Sequence, residues 1–110
     1  MSGGAFDYNQ RKIGYIAEEI DETIRKSGKE KTIEELKDRY GYDWDRWIKK
    51  YPEDKFHSQY SIEVLSEFKN AVKYLKMAEI YAQRVDWLLS GDDSEESFLT
   101  RLKEDLDELA

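Results

Sequence analysis

IEVLSEFKNAVKYLKMAEIYAQRVDWLLS, residues 62–90, decides the fold. Val64, Phe68, Ala71, Leu75, Ala78, Ala82, Val85 and Leu89 recur by four and three without a break. That spacing is a heptad seam on one long helix, the kind that packs at a shallow crossing angle. Ala71, Ala78 and Ala82 are small and let a neighbouring helix approach closely. Ser61 is placed as the N-cap and Gly91 as the C-terminal stop.

The flanking segments read as further helices. Ile13, Ile16, Ala17, Ile20 and Ile24 give one apolar stripe over 8–27, and Gly28 ends it. After a polar link at 29–31, Thr32 and Glu35 fit a capping box. Ile33, Leu36 and Tyr40 share one side of the short helix that follows, which Gly41 ends. Asp43 is placed to cap another, with Trp44, Trp47, Ile48 and Tyr51 at helical spacing; Pro52 closes it. Residues 53–59 read as loop. Asp93 or Ser94 caps a last helix, 94–108, whose apolar face is Phe98, Leu99, Leu102, Leu106 and Leu109. The expectation is one all-α domain over 1–110: an antiparallel bundle of three main helices (8–27, 62–90, 94–108) with an aromatic-rich helical insertion at 32–51.

Composition narrows the function. The chain has no cysteine, so disulfides, thiolate nucleophiles and cysteine–zinc sites are excluded. Its 25 acidic against 18 basic residues disfavour general binding to phosphate backbones. No apolar run approaches the ~18 residues of a membrane span, and a soluble cytoplasmic protein is expected. His57 stands alone in a polar loop, and no nucleophile, metal or phosphate-loop signature is present. No cofactor and no metal are expected.

Polar residues sit where apolar ones belong. Taking Leu75 as the seam's centre, Asp86, Glu79 and Gln83 lie ~20°, ~40° and ~80° away by helical rotation. An acid there must be paired, hydrogen-bonded, protonated or bound to a ligand. One reading is a structural network with groups on the first helix; the other is a ligand pocket. On the other edge, among Tyr81, Arg84 and Trp87, the guanidinium can stack on an aromatic face and a flat nucleotide ring could use the same surface; the plain reading is a solvent-facing side with snorkelling side chains. Gly3 and Gly4 either form an anion nest or fray. Tyr8 lies beside them. The acids of GDDSEE, 91–96, read as a helix stop and cap rather than a calcium loop. The aromatic set Tyr40, Tyr42, Trp44, Trp47, Tyr51 and Phe56 is large for this chain. It is a satellite core or a partner surface, with Trp44, Trp47 and Tyr51 as the contact candidates.

Two resemblances add expectations. Glu18-Glu19-x-x-Glu22 followed by Glu35-x-x-Asp38 resembles the carboxylate signature of MazG-like all-α nucleotide pyrophosphohydrolases, which implies magnesium held against a triphosphate. Glu18 and Glu22 lie ~145° and ~175° from the apolar stripe, facing water rather than a bundle interior. MSGGAFDYNQRKIGYIAEEI (1–20), AEIYAQRVDWLLSGDD (78–93) and EESF-x-x-RL (95–102) resemble a family of small phage and prophage proteins. That resemblance implies phage origin and action in a bacterial host's cytoplasm, in takeover or evasion of defence. The leading expectation is a non-enzymatic binding protein that sequesters a host protein or a nucleotide-like ligand. Its site would be Glu79, Gln83, Asp86, Tyr81, Arg84, Trp87, Gly3, Gly4 and Tyr8. The alternatives are a MazG-like magnesium-dependent hydrolase and an oligomerisation module using the long seam.

Overall fold

A computed structural model describes residues 4–110. The described chain is all-α: α1 Gln10–Lys26, α2 Ile33–Tyr40, α3 Trp44–Lys50, a 3₁₀ turn at Pro52–Lys55, α4 Ile62–Leu89 and α5 Glu95–Leu109. The caps follow local chemistry. Thr32 and Glu35 form the full capping box, and Ser61 and Ser94 each accept from the third amide onward. Asp43 makes no side-chain cap on α3. The first helix starts at Gln10 rather than at Tyr8, because Asp7 and Tyr8 have φ of 51° and 60° and cannot be helical.

α4 is the spine. α1 runs antiparallel along one side, and α5 folds back along another. The register of α1 is legible from its contacts: Gln10 meets Gln83 and Asp86, and Gly14 lies against the Glu79 carboxylate. The buried positions of α4 are Val72 and Asp86, and of α1 Gln10 and Ala17. Thus the side of α4 that meets α1 runs Leu65, Phe68, Val72, Leu75, Glu79, Asp86. This corrects the placement of the polar residues: Glu79 and Asp86 stand within the α1-facing seam, not along its edge. The predicted stripe shares Phe68 and Leu75 with this side and is otherwise turned away from it, leaving Val64, Ala78 and Leu89 exposed.

The chain is elongated, 61 × 34 × 15 Å, with a radius of gyration of 19.7 Å. A compact chain of this length would have about 13 Å. Among the described residues the buried apolar ones are Ala17, Leu36 and Val72, and no large side chain is fully buried. The three long helices therefore make a thin slab rather than a closed bundle.

α2, α3 and the 3₁₀ turn form a separate lobe. The chain enters and leaves it through a short backbone ladder: Gly28 N donates to Ser58 O, His57 N to Lys29 O and Lys31 N to Lys55 O, at 2.8–3.2 Å. The segments expected to be a polar link and a loop are paired here. No helix among the described residues is long and apolar enough to cross a membrane.

The Gly14–Glu79 approach is testable. Alanine in place of a mid-helix glycine normally stabilises by about 1 kcal/mol. A Cβ on Gly14 collides with the Glu79 carboxylate, which must swing aside. Gly14→Ala is expected to stabilise more in a Glu79→Ala background than alone. Additive melting shifts would show that the two do not touch.

Candidate functional site

Asp86 is the most informative of the expected site residues, at 2% exposure. Its Oδ1 accepts from the backbone N–H groups of Ala5 at 2.5 Å and Phe6 at 3.3 Å. Its Oδ2 accepts from Gln10 Nε2 at 3.1 Å, and Ser90 Oγ lies 3.5 Å from Oδ1. Gln10 Nε2 also donates to Gln83 Oε1 at 2.9 Å. Several donors are what a buried carboxylate needs to offset desolvation. They also oppose the α4 C-terminal dipole, which disfavours an anion there.

The glycine turn and the buried acid thus answer each other. Gly4 has φ 58°, and a Cβ on it would stand 2.7 Å from Asp86 Oδ1. This glycine opens a turn that presents two amides to an anion, and the anion is the chain's own Asp86. Gly3 lies outside the described residues. Tyr8 is half exposed and carries Arg11 over its ring at 5.4 Å, away from the carboxylate.

Glu79 has a different setting. It lines a cleft of about 340 Å³ with Arg11, Tyr15, Ile80, Gln83 and Asp105, where α1, α4 and α5 meet. Of the polar line, this is the carboxylate that borders open space.

Arg84 and Trp87 are brought together, with the guanidinium carbon 4.6 Å from the indole centroid. The Arg84 side chain is only 12% exposed and donates to Asp105 Oδ2 at 2.6 Å. Asp93, 6% exposed, lies 3.9 Å from both Arg84 and Arg101. The hydrogen bond it donates to Asp105 raises the Arg84 pKa above its ordinary value. This group clamps α5 onto α4 and corrects the expectation of an open stacking surface. Tyr81, 45% exposed, is not part of it. Asp93 was legible only as a possible cap; Ser94 takes that role, and Asp93 turns inward.

Of the five acids in the MazG-like pattern, Glu22 and Glu35 meet on a lysine. Lys26 Nζ is 2.7 Å from Glu22 and 2.9 Å from Glu35, and His57 Nε2 is 3.0 Å from Glu35. Among the described residues no group of three or more His, Asp or Glu is arranged to hold a metal ion. The Thr32 backbone amide, then Lys26, hold the Glu35 carboxyl down to about 2.

The aromatic lobe divides into two. Tyr40 stacks on Trp47 (centroids 5.5 Å, 16°), Trp47 meets Tyr51 at 4.6 Å, and Trp47 Nε1 donates to Asp54 at 2.7 Å. Trp47 and Tyr51, expected partner contacts, are thereby occupied with each other. Trp44 belongs to the other half, a cleft of about 970 Å³ lined by Ile33, Lys37, Tyr42 and Arg46 among others. Tyr42, 99% exposed, stands at its rim and was passed over as a contact. Its position directly after the helix-ending Gly41, in the turn between two short helices, was the available signal.

No family model, curated protein or solved structure matches this chain.

Two predictions follow from the polar groups. Asp86→Ala strands two amides and the Gln10 carboxamide, and a loss of about 2–4 kcal/mol is expected. Hydrogen exchange at Ala5 and Phe6 should rise; unchanged protection there would refute the bond. For Glu35 the folded pKa lies below the unfolded value, so its stabilisation is complete above about 4.5 and lost as pH falls toward about 2. Acid titration of thermal stability should be shallower over that window in Glu35→Gln.

Proposed function

We propose that this chain is a non-enzymatic protein-binding module that engages its partner through the α2–α3 lobe. The observation that carries this is Tyr42. It is 99% exposed beside Ile33, itself 57% exposed, and Trp44, on a cleft of about 970 Å³. Tyrosine and tryptophan anchors dominate the energetics of interfaces. The cleft mixes Lys37 and Arg46 with Asp43 and Asp45, a polar rim suited to a protein surface. The stacked Tyr40, Trp47 and Tyr51 behind it stiffen the lobe and lower the cost of ordering on binding.

The resemblance of 1–20 and 78–102 to small phage and prophage proteins supports placing the partner in a bacterial host. Sequestration of that partner is the action we assign to the module. A nucleotide-like ligand is the lesser reading. Asp86 and Gln83 are engaged inside the fold, and only the cleft of Arg11, Tyr15 and Glu79 remains for it.

Immobilised wild-type chain and Tyr42→Ala are incubated with bacterial lysate, and captured proteins are identified by mass spectrometry. A partner held by wild type and weakened roughly 10- to 100-fold by the substitution is expected, with melting temperature unchanged. Equal capture by both chains, or none by either, refutes the assignment to Tyr42.

A further inference from the structure

The stripe that the sequence marks as a heptad seam is not the one that α1 covers. Taking Val72 as facing α1, Val64, Ala71, Leu75, Ala78, Ala82, Val85 and Leu89 centre ~100° to one side by helical rotation, while Arg84, bonded to α5, lies ~120° to the other. α5 therefore leaves this face open. Leu89 is 65% exposed, and Val64 and Ala78 are exposed as well. α1 extends the same face with Ile13 and Ile16. An apolar cleft of about 380 Å³ runs between Phe6, Ile13 and Ala82. We propose that this α1–α4 face is the interface of a homodimer, two copies packing antiparallel through the seam.

Three observations select a second copy as the occupant. The first is area. The chain exposes 8507 Å². A compact protein of 13.1 kDa exposes about 6,400 Å². The excess is larger than the ~800 Å² that each partner contributes to a standard interface. The second is self-complementarity. A two-fold axis between Leu75 and Ala78 pairs Val64 with Leu89 and Ala71 with Ala82, while Phe68, which packs against Tyr60, and Leu75 stand at the border with α1. An isologous contact needs one surface that fits itself, and a seam that alternates by four and three does so. The third is charge. Each copy carries a formal charge of -7, so a self-interface must exclude charge. The centre of the stripe, Val64, Ala71, Ala78, Ala82 and Leu89, carries no charge; Glu67 lies at the rotation of Val85 on its outer edge and Lys12 at the opposite end on α1. Antiparallel packing turns each toward the other's end in the second copy.

This face is distinct from the Tyr42 lobe, so the two proposals fail separately. Light scattering on the eluting full chain is expected to give twice the 13.1 kDa mass at micromolar concentration. Ala78→Glu, at an exposed helix position that the single chain tolerates, should elute as a monomer with unchanged helicity. Tyr42→Ala should remain dimeric. Direction is read by mixing Ala71→Cys and Ala82→Cys chains, since the natural sequence has no cysteine. Mild oxidation should favour the mixed disulfide over either symmetric one. A monomeric wild type, a dimeric Ala78→Glu, or a predominance of symmetric disulfides would each overturn the proposal as stated.

Discussion

One buried carboxylate fixes the arrangement of the main helices. Asp86 has its charge near the C-terminal end of α4, where backbone carbonyls repel it, and it is closed off from water. It is tolerable only because the chain brings donors to it from a segment some eighty residues away. Those donors sit on the turn before α1, so satisfying Asp86 also fixes where α1 begins and how it slides along α4. Gln10 adds a second tie one helical turn further along, bridging Asp86 and Gln83. A shift of α1 by one residue would unmake both. Polar groups in a seam weaken packing but specify register. A helix pair with so little buried apolar surface needs that specification.

The same economy explains the slab. Packing α1 against a seam that contains Glu79 and Asp86 spends part of the contact on polar groups, and Gly14 opposite Glu79 contributes no side chain. The apolar residues that would have filled a closed bundle lie around the corner of α4. On the other flank, Arg84 holds Asp105 and approaches Asp93, so α5 too is held largely by charge. Ion pairs with little exposure give direction more than stability. A fold of this kind has well-defined relative helix positions and a modest core, and it leaves apolar area over for association.

Local chemistry was the legible part of the sequence. The capping box of Thr32 and Glu35, the serine caps of α4 and α5 and the ends of the helices depend on near neighbours, and they form as the residues dictate. What resisted reading is relational. α4 carries two adjacent stripes that both repeat by four and three. Periodicity ranks the purely apolar one higher and cannot know which faces α1. The ladder joining 28–31 to 55–58 is made by backbone groups and leaves no side-chain signature. Gly4 and Asp86 each stood out as an anion nest and as a strained acid. Their mutual satisfaction requires knowing that the chain's beginning returns to the far end of α4.

That pairing shifts where function can reside. A nest filled by the protein's own carboxylate has no vacancy for a phosphate. A buried acid already bonded to backbone amides and a carboxamide has no open side to offer a ligand. The residues that looked most like a site are therefore those that hold the scaffold. The exposed ones, Tyr42 beside Trp44 on the lobe and the apolar stripe of α4, carry no polar anomaly and drew less notice. Scaffold and surface are in fact coupled. By anchoring α1 on the polar seam, Asp86 keeps the apolar stripe uncovered, and without that anchor α1 would gain apolar contact by rotating onto it. The cost of burying Asp86 is then what fixes which side of α4 its neighbour covers.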